Sequence, residues 1–288
     1  MPAPSRVDRR TLLAAAGALP VLAACGTDDS NDPASTDTAS TDDREQPMTE
    51  RLTYGDDPSQ WADLRRPEGT SRGVVVIIHG GFWKAEYDAS LGEPLAADLT
   101  ARGWTTLNAE YRRVGNGGGF PHTFDDVHAA IEALGGTDVD TSTVLTLGHS
   151  AGGHLATWAA ARGRFGRWPT TVPVTHVVSQ AGVVDLTAAY DQDLGDGAVE
   201  ALMGSAPDSP DYELADPMRH VPLDVPAWMV HAADDPVVPI SQSRDYVAAA
   251  REAGAAAELV EVEGGHFGVI EVESPAWADI VAVLDGIA

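Results

Sequence analysis

Runs of apolar residues alternate along the chain with segments of helical periodicity. The β-branched run Val74–Ile78 lies between Gly73 and Gly80, which is typical of a strand buried on both faces of a parallel sheet. Further strands are predicted at 104–109, 144–147, 174–179, 227–231 and 258–262, and helices at 89–102, 123–134, 151–162, 241–253 and 276–287. Strands that alternate with helices of this length indicate an α/β fold with a mostly parallel sheet.

The alternation is interrupted between residues 183 and 222, where Asp, Gly and Pro are frequent and only 198–203 favours a helix. We interpret this segment as an excursion over the strand ends and a candidate lid. Residues 191–197 (DQDLGDG) are weakly similar to a calcium-binding loop. Position five of such a loop is Gly195 here and the closing Glu is out of place, so an acidic solvated loop is the preferred interpretation.

The first 24 residues have the pattern of an export signal. Three arginines lie among the first ten residues, and the 14 residues from Thr11 to Ala24 are apolar, a length that suits a signal peptide better than a membrane span. The pair Arg9-Arg10 resembles a twin-arginine signal. The run Leu22–Cys25 resembles the lipobox of bacterial lipoproteins, in which Cys25 is lipidated and becomes the mature N-terminus.

Residues 25–49 are rich in Asp, Ser and Thr and contain almost no large apolar residue. Such a segment cannot bury enough surface to offset its chain entropy, so it is predicted to be a flexible tether. We therefore expect a signal peptide at 1–24, a tether at 25–49 and one globular domain at 50–288. The expected location is the outer face of the bacterial cell membrane, where a lipid on Cys25 holds the exported protein.

Composition narrows the class of protein further. The 44 Asp and Glu residues against 18 Lys and Arg give a net charge of −26, which disfavours nucleic-acid binding because a polyanion would be repelled. The single cysteine excludes an intramolecular disulfide framework and a multi-thiolate zinc site. We predict no metal site, no cofactor and no obligate protein partner, and membrane contact only through the lipid anchor.

The segment Gly148–Gly152 (GHSAG) has the pattern G-x-S-x-G. The pattern alone is weakly specific, but here it follows a predicted buried strand and opens a predicted helix. Ser150 is therefore placed on a sharp strand-to-helix turn, where the helix N-terminus offers backbone N–H groups to a developing oxyanion. We predict that Ser150 is a catalytic nucleophile. The structural alternative is a tight turn without chemistry.

A serine nucleophile needs a base and an orienting acid, and with this type of turn the order along the chain is Ser, acid, His. Asp234 and Asp235 follow the predicted strand 227–231, and Asp235 is the preferred acid while Asp234 stays open. His266 is the only histidine beyond them, in a glycine-rich loop, and it is the predicted base. The structural alternatives are a turn-forming Asp and a loop-capping His.

The segment His79–Trp83 (HGGFW) follows the predicted strand 74–78. Its glycines let the backbone approach a substrate carbonyl group. The N–H groups of Gly81, Phe82 and Ala151 are therefore predicted to form an oxyanion hole. The alternative is a buried turn filled by an aromatic side chain.

The segments HGGFW, GHSAGGHLA, HAADDPVVP and GGHF, in this order, resemble the α/β-hydrolase fold from about Leu52 to Ile287. HGGFW is similar to the kynurenine formamidase-like and feruloyl-esterase-like branch, which is related to the hormone-sensitive-lipase esterases. The lipase-like branch has Gly at the position of Phe82, which favours the formamidase-like branch. The resemblance implies a mostly parallel central sheet with helices on both faces, a short excursion after the sixth strand, and hydrolysis of an ester or small amide without a cofactor.

The expected reaction is attack by Ser150 on a small-molecule ester, with His266 as base and Asp235 as the orienting acid. A carboxylesterase suits the expected exported location best. Three alternatives stay open: a kynurenine formamidase-like amidase, a prolyl-oligopeptidase-like serine peptidase, and a non-catalytic surface binding module on the same fold. The intact order of triad residues disfavours the last of these.

Overall fold

The computed structural model describes residues 49–287. The predicted signal peptide, Cys25 and the tether up to residue 48 lie outside the described residues. Within them, the strands are β1 Thr49–Thr53, β2 Trp61–Arg65, β3 Val74–Ile78, β4 Thr105–Ala109, β5 Val144–His149, β6 His176–Gln180, β7 Ala227–Ala232 and β8 Ala257–Val262. The helices are α1 Glu93–Ala101, α2 His122–Glu132, α3 Ala151–Ala161, α4 Leu186–Asp191, α5 Ala198–Met203, α6 Tyr212–Ala215, α7 Ser241–Glu252, α8 Gly265–Gly268 and α9 Pro275–Asp285.

The strands form one sheet in the order β1-β2-β4-β3-β5-β6-β7-β8. The strands β3 to β8 are parallel, whereas β1 and β2 pair antiparallel at one edge. The carboxyl ends of parallel strands lie on the same edge of a sheet, where active sites of open α/β sheets are built. The loops that follow β3, β5, β7 and β8 carry the predicted site residues to this edge.

The core lies on both faces of the sheet. Because successive side chains of a strand point to opposite faces, Val74, Val76 and Ile78 pack with α2 and α3, while Val75 and Ile77 pack with α1 and α9. All five of these β3 residues are buried, as expected for a central parallel strand. No helix in the part of the chain from 49 to 287 is both long and apolar enough to span a membrane.

The predicted α/β class, the mostly parallel sheet and the excursion after the sixth strand are confirmed. The edge strands β1 and β2 were not predicted. Four of the five β1 residues are exposed, so this strand has no buried face that an apolar alternation could mark. Thr49, which was predicted to belong to the tether, lies in β1.

Candidate active site

The turn between β5 and α3 holds Ser150 in a strained backbone conformation. Its φ of 55° and ψ of −118° lie in a region that residues with a side chain rarely adopt. The Ser150 amide donates to the Gln180 carbonyl oxygen at 2.8 Å. A Cβ atom on Gly152 would lie 2.0 Å from the Ile78 carbonyl oxygen, so only glycine lets α3 start this close to β3. The turn is therefore held from two neighbouring strands.

Asp235 and His266 come together from the loops after β7 and β8. His266 Nδ1 donates to Asp235 Oδ2 at 2.7 Å, and both side chains are almost fully buried. A proton on Nδ1 leaves the lone pair of Nε2 available to act as a base. Asp234 is exposed and accepts only a 3.3 Å hydrogen bond from the Gly265 amide. Of the two candidate acids, Asp235 is thus the one in contact with the imidazole.

The Asp235 carboxylate is stabilised in its ionised form. Burial tends to raise its pKa, but hydrogen bonds from His231 and His266 and from the Val237 and Val238 amides outweigh burial, and the pKa lies well below its usual range. The amides of Val237 and Val238 donate to Oδ1 at 2.8 and 2.9 Å, and His231 Nε2 lies 3.3 Å from Oδ2. A permanent negative charge therefore faces His266 Nδ1 at neutral pH.

A second histidine, His149, contacts the predicted base, and this contact was not anticipated from the sequence. Its Nε2 donates to the His266 carbonyl oxygen at 2.9 Å, and the two ring centroids are 4.6 Å apart. Burial is the main cause that lowers the pKa of His149 to about 3. His149 is therefore a neutral ring that packs against His266. In the sequence, only its position directly before Ser150 could have indicated that it belongs to the site.

The loop after β3 runs directly against Ser150. A Cβ atom on Gly80 would lie 2.7 Å from the His149 carbonyl oxygen and 3.2 Å from Ser150 Cβ. Gly81, Phe82 and Trp83 follow with φ of 110°, 51° and 55°, three consecutive residues in the left-handed region. The predicted oxyanion-hole residues of this loop are thus brought to the turn that carries Ser150 and Ala151.

A buried network of hydrogen bonds and ring stacking supports the loop after β3. The His79 ring stacks on Tyr111 at 4.4 Å, and the Tyr111 hydroxyl donates to the His79 carbonyl oxygen at 2.7 Å. Burial lowers the pKa of His79 to about 3, so its Nδ1 donates to the Gly80 carbonyl oxygen at 2.8 Å as a neutral ring. Arg113, which is paired with Glu110, donates to His79 Nε2 at 3.2 Å. The network resists movement of the loop.

The excursion after β6 touches the same loop. A Cβ atom on Gly195 would lie 2.4 Å from the Phe82 ring. The Lys84 Nζ atom donates to the Gly195 carbonyl oxygen at 3.3 Å and lies 5.6 Å from that ring. Gly195 and the Phe82 ring therefore form a wall at this part of the loop. Among the described residues, no three His, Cys, Asp or Glu side chains are placed to hold a metal ion.

The structure thus gathers Ser150, Asp235 and His266 and the loop with Gly81 and Phe82 at one edge of the sheet, as the strand order requires. Their catalytic roles stay predictions. Cys25 lies outside the described residues.

Curated relatives and solved structures resemble this chain over most of the described part. Esterase LipC from Mycobacterium tuberculosis is 28% identical over 68% of this chain and 53% of its own length. The probable carboxylic ester hydrolase LipM from the same organism is 28% identical over 64% of this chain and 46% of its own length. The chain therefore spans about half the length of the curated relatives it matches.

Esterase B from Lactobacillus rhamnosis superimposes with a TM-score of 0.73 at 21% identity, over 84% of this chain and 85% of that chain. A bifunctional GH43-CE protein from Bacteroides eggerthii gives a TM-score of 0.69 at 26% identity, over 83% of this chain and 38% of that chain. Both structures share the fold. The family model BD-FAE matches residues 63–249, more than half of the chain. The chain therefore belongs to the BD-FAE family, an α/β-hydrolase esterase family.

Proposed function

We propose that this protein is a serine carboxylesterase that cleaves small-molecule esters through an acyl-enzyme. The observation that carries the proposal is the 2.7 Å contact between His266 and Asp235 at the sheet edge where the strained Ser150 turn lies. The curated relatives, which are named as esterases or as a probable ester hydrolase, support the same reaction class. The geometry of the site and the similarity to known esterases therefore support ester hydrolysis independently.

In the proposed reaction His266 Nε2 takes the proton of the Ser150 hydroxyl as its oxygen attacks the ester carbonyl carbon. The N–H groups of Gly81, Phe82 and Ala151 stabilise the negative oxygen of the tetrahedral intermediate. His266 then gives the proton to the leaving alcohol. Water repeats the sequence on the acyl-enzyme, and the Asp235 carboxylate stabilises the imidazolium in both halves.

Ser150→Ala tests the assignment of the nucleophile. We expect the wild-type protein to hydrolyse p-nitrophenyl acetate and to react covalently with a fluorophosphonate probe, and the variant to lose both activities. Full turnover by Ser150→Ala would overturn the mechanism. A wild-type protein that is neither labelled by the probe nor active on any ester would point to the non-catalytic binding module.

A substrate panel separates an esterase from an amidase. The panel compares short acyl esters, feruloyl esters and acetylated xylan with N-formylkynurenine, a small amide. We expect kcat/KM to be highest for an ester. A higher value for N-formylkynurenine would replace this proposal with the formamidase-like alternative that the HGGFW segment also suggests.

We further propose that the protein is exported through a twin-arginine signal and held at the outer face of the membrane by a lipid on Cys25. The order of charge, apolar run, small residues and cysteine in residues 1–25 supports this proposal. Labelled palmitate is expected to be incorporated in the bacterial host and lost in Cys25→Ala, which would move to the soluble fraction. An unlabelled protein whose fractionation is unchanged by Cys25→Ala would exclude the anchor.

A further inference from the structure

Three large apolar side chains are exposed within the described residues, namely Tyr87, Leu91 and Phe267, with 44%, 38% and 57% of their surface accessible. Scattered single exposed apolar residues are ordinary in proteins, but a cluster at a functional site marks a binding surface. These three residues lie far apart in the sequence, so whether they form one surface depends on what each contacts.

Two of the three side chains, Leu91 and Phe267, lie beside His149, the residue before Ser150. Leu91 lines a small cavity together with Gly80 and His149. The Phe267 ring is 6.0 Å from the His149 ring and 5.1 Å from the His266 ring.

Tyr87 covers the loop of the predicted oxyanion hole, since a Cβ atom on Gly81 would lie 2.4 Å from Tyr87 Cβ and Cγ. We call Tyr87, Leu91 and Phe267 the apolar rim. Tyr87 therefore borders the oxyanion-hole loop, while Leu91 and Phe267 border His149.

The chemistry of ester cleavage tells which part of a substrate meets this rim. The leaving oxygen has to lie within hydrogen-bond reach of His266, because that imidazole protonates it. The alcohol part of the ester therefore extends past His266. The exposed apolar side chain next to His266 is Phe267, and both Phe267 and Leu91 lie beside His149.

The wall made by Phe82 and Gly195 contacts the oxyanion-hole loop at Phe82, whereas Tyr87 contacts that loop at Gly81. It is made by the excursion after β6, whereas Phe267 follows β8 and Leu91 follows β3. The acyl part of the ester remains attached to Ser150 after the alcohol has left. It does not need to approach His266, so it is free to lie toward this wall.

We propose that the apolar rim binds the alcohol part of the ester, and that this enzyme prefers esters of apolar alkyl or aryl alcohols to esters of sugars or glycerol. The proposal rests on the serine esterase function and adds the class of leaving group to it. Apolar contact is the interaction that Phe267 and Leu91 can offer, since neither side chain carries a hydrogen-bonding group. A polyhydroxy alcohol would lose hydrogen bonds to water on contact with these side chains and would gain none in return.

Two matched ester series test the proposal. The alcohol series is ethyl, butyl and benzyl acetate with glyceryl acetate as the polar member, and the acyl series is ethyl acetate to ethyl butyrate. Acid release in a pH-stat gives kcat/KM, which reports the reaction up to loss of the alcohol and so includes contacts with the leaving group. Full burial of a methylene group would raise kcat/KM about fourfold, and we expect about twofold per methylene on this half-exposed rim.

Phe267→Ser and Leu91→Ser are expected to flatten the alcohol series and leave the slope of the acyl series unchanged. Phe267→Leu, which keeps an apolar side chain, is the matched control and should retain the wild-type slope. Both serine variants replace exposed side chains and are expected to fold, which thermal unfolding checks.

A wild-type enzyme that cleaves ethyl acetate but shows no preference along the alcohol series would overturn the rim proposal alone. Loss of slope in the acyl series in the two serine variants would also overturn it, because the rim would then hold the acyl part. A wild-type protein that cleaves neither series and leaves Ser150 unlabelled by a fluorophosphonate would overturn the esterase function together with the rim proposal.

Discussion

His149 Nε2 donates a hydrogen bond to the backbone carbonyl oxygen of His266 at 2.9 Å. The residue directly before the candidate nucleophile thus holds the loop that carries the candidate base. That loop starts with Gly264 and Gly265 at φ of 112° and 62°, conformations that glycine adopts at little energetic cost. The contact therefore links two parts of the site that no secondary-structure element connects.

Substitution of His149 is expected to misplace the imidazole of His266. His149→Leu removes the donor and leaves the buried His266 carbonyl oxygen without this partner. We expect the free energy of unfolding to decrease by about 1–3 kcal/mol. We expect kcat to fall about tenfold or more with little change in KM, since the substrate does not contact the buried donor. Steady-state kinetics with p-nitrophenyl butyrate, together with thermal unfolding, measure both effects.

His149→Gln is the matched control, because its side-chain amide keeps an N–H donor of similar reach. We expect it to recover most of the wild-type kcat. If the Leu and Gln variants lost the same activity while both remained folded, the hydrogen bond would not be the cause. A fully active His149→Leu enzyme would show that Asp235 alone holds His266 in place.

The adjacent carboxylates Asp234 and Asp235 offer a second pair of matched variants. Asp235→Asn removes the negative charge that faces His266 Nδ1 and allows the wrong tautomer, a change that lowers kcat by about 10⁴-fold in other triads. Asp234→Asn affects an exposed side chain and is expected to change kcat less than about twofold. Comparable losses in both variants would place the orienting role on the turn as a whole.

Much of this arrangement could be predicted because it depends on short-range patterns. The strand β3 is an unbroken β-branched run, so its burial and parallel pairing follow from composition alone. Ser150 and His266 follow from the order of strands and loops, since parallel strands bring their carboxyl ends to one edge. The sequence favoured Asp235 over Asp234 but left both open, because the two adjacent residues lie in the same turn.

The features that the sequence did not predict depend on contacts between residues that are distant in sequence. The bond from His149 reaches 117 positions along the chain to a backbone carbonyl group, which has no residue signature. His231 lies 3.3 Å from Asp235, yet in the sequence it reads as the end of an apolar strand. Leu91 and Phe267 are far apart in the sequence, and only the fold places both of them beside His149.

The close approach of α3 to β3 predicts a sharp intolerance at Gly152. A Cβ atom there would lie 2.0 Å from the Ile78 carbonyl oxygen, so Gly152→Ala forces backbone to move beside the oxyanion-hole loop. We expect a loss of about 1–3 kcal/mol of unfolding free energy and a marked fall in kcat. Gly136→Ala, with nothing within 4 Å of the new Cβ, is the control that should change neither. Equal behaviour of the two variants in urea unfolding would contradict the crowding.

Buried histidines make acid destabilise the fold. Burial is the main cause that lowers the pKa of His79, His149 and His154 to about 3 and that of His220 to about 4. In the unfolded chain these groups titrate near 6.5. Between pH 6.5 and about 4 the unfolded chain therefore binds more protons than the folded one, and the free energy of unfolding decreases as the pH falls.

His154→Gln isolates one of these contributions. The wild-type Nε2 donates to the Ala215 carbonyl oxygen at 2.9 Å, and the glutamine amide keeps a donor but cannot take up a proton near neutral pH. As the pH is lowered from 6.5 to 4.5, we expect the stability of the variant relative to wild type to improve by about 1.4 kcal/mol per pH unit. Urea unfolding at pH 7.5, 5.5 and 4.5 measures the difference.

His122→Gln, at a side chain that is 56% exposed, tests whether any histidine substitution has the same effect. Parallel stability curves for wild type and His154→Gln would mean that His154 is protonated in the folded protein, contrary to its burial beside the edge of Trp83.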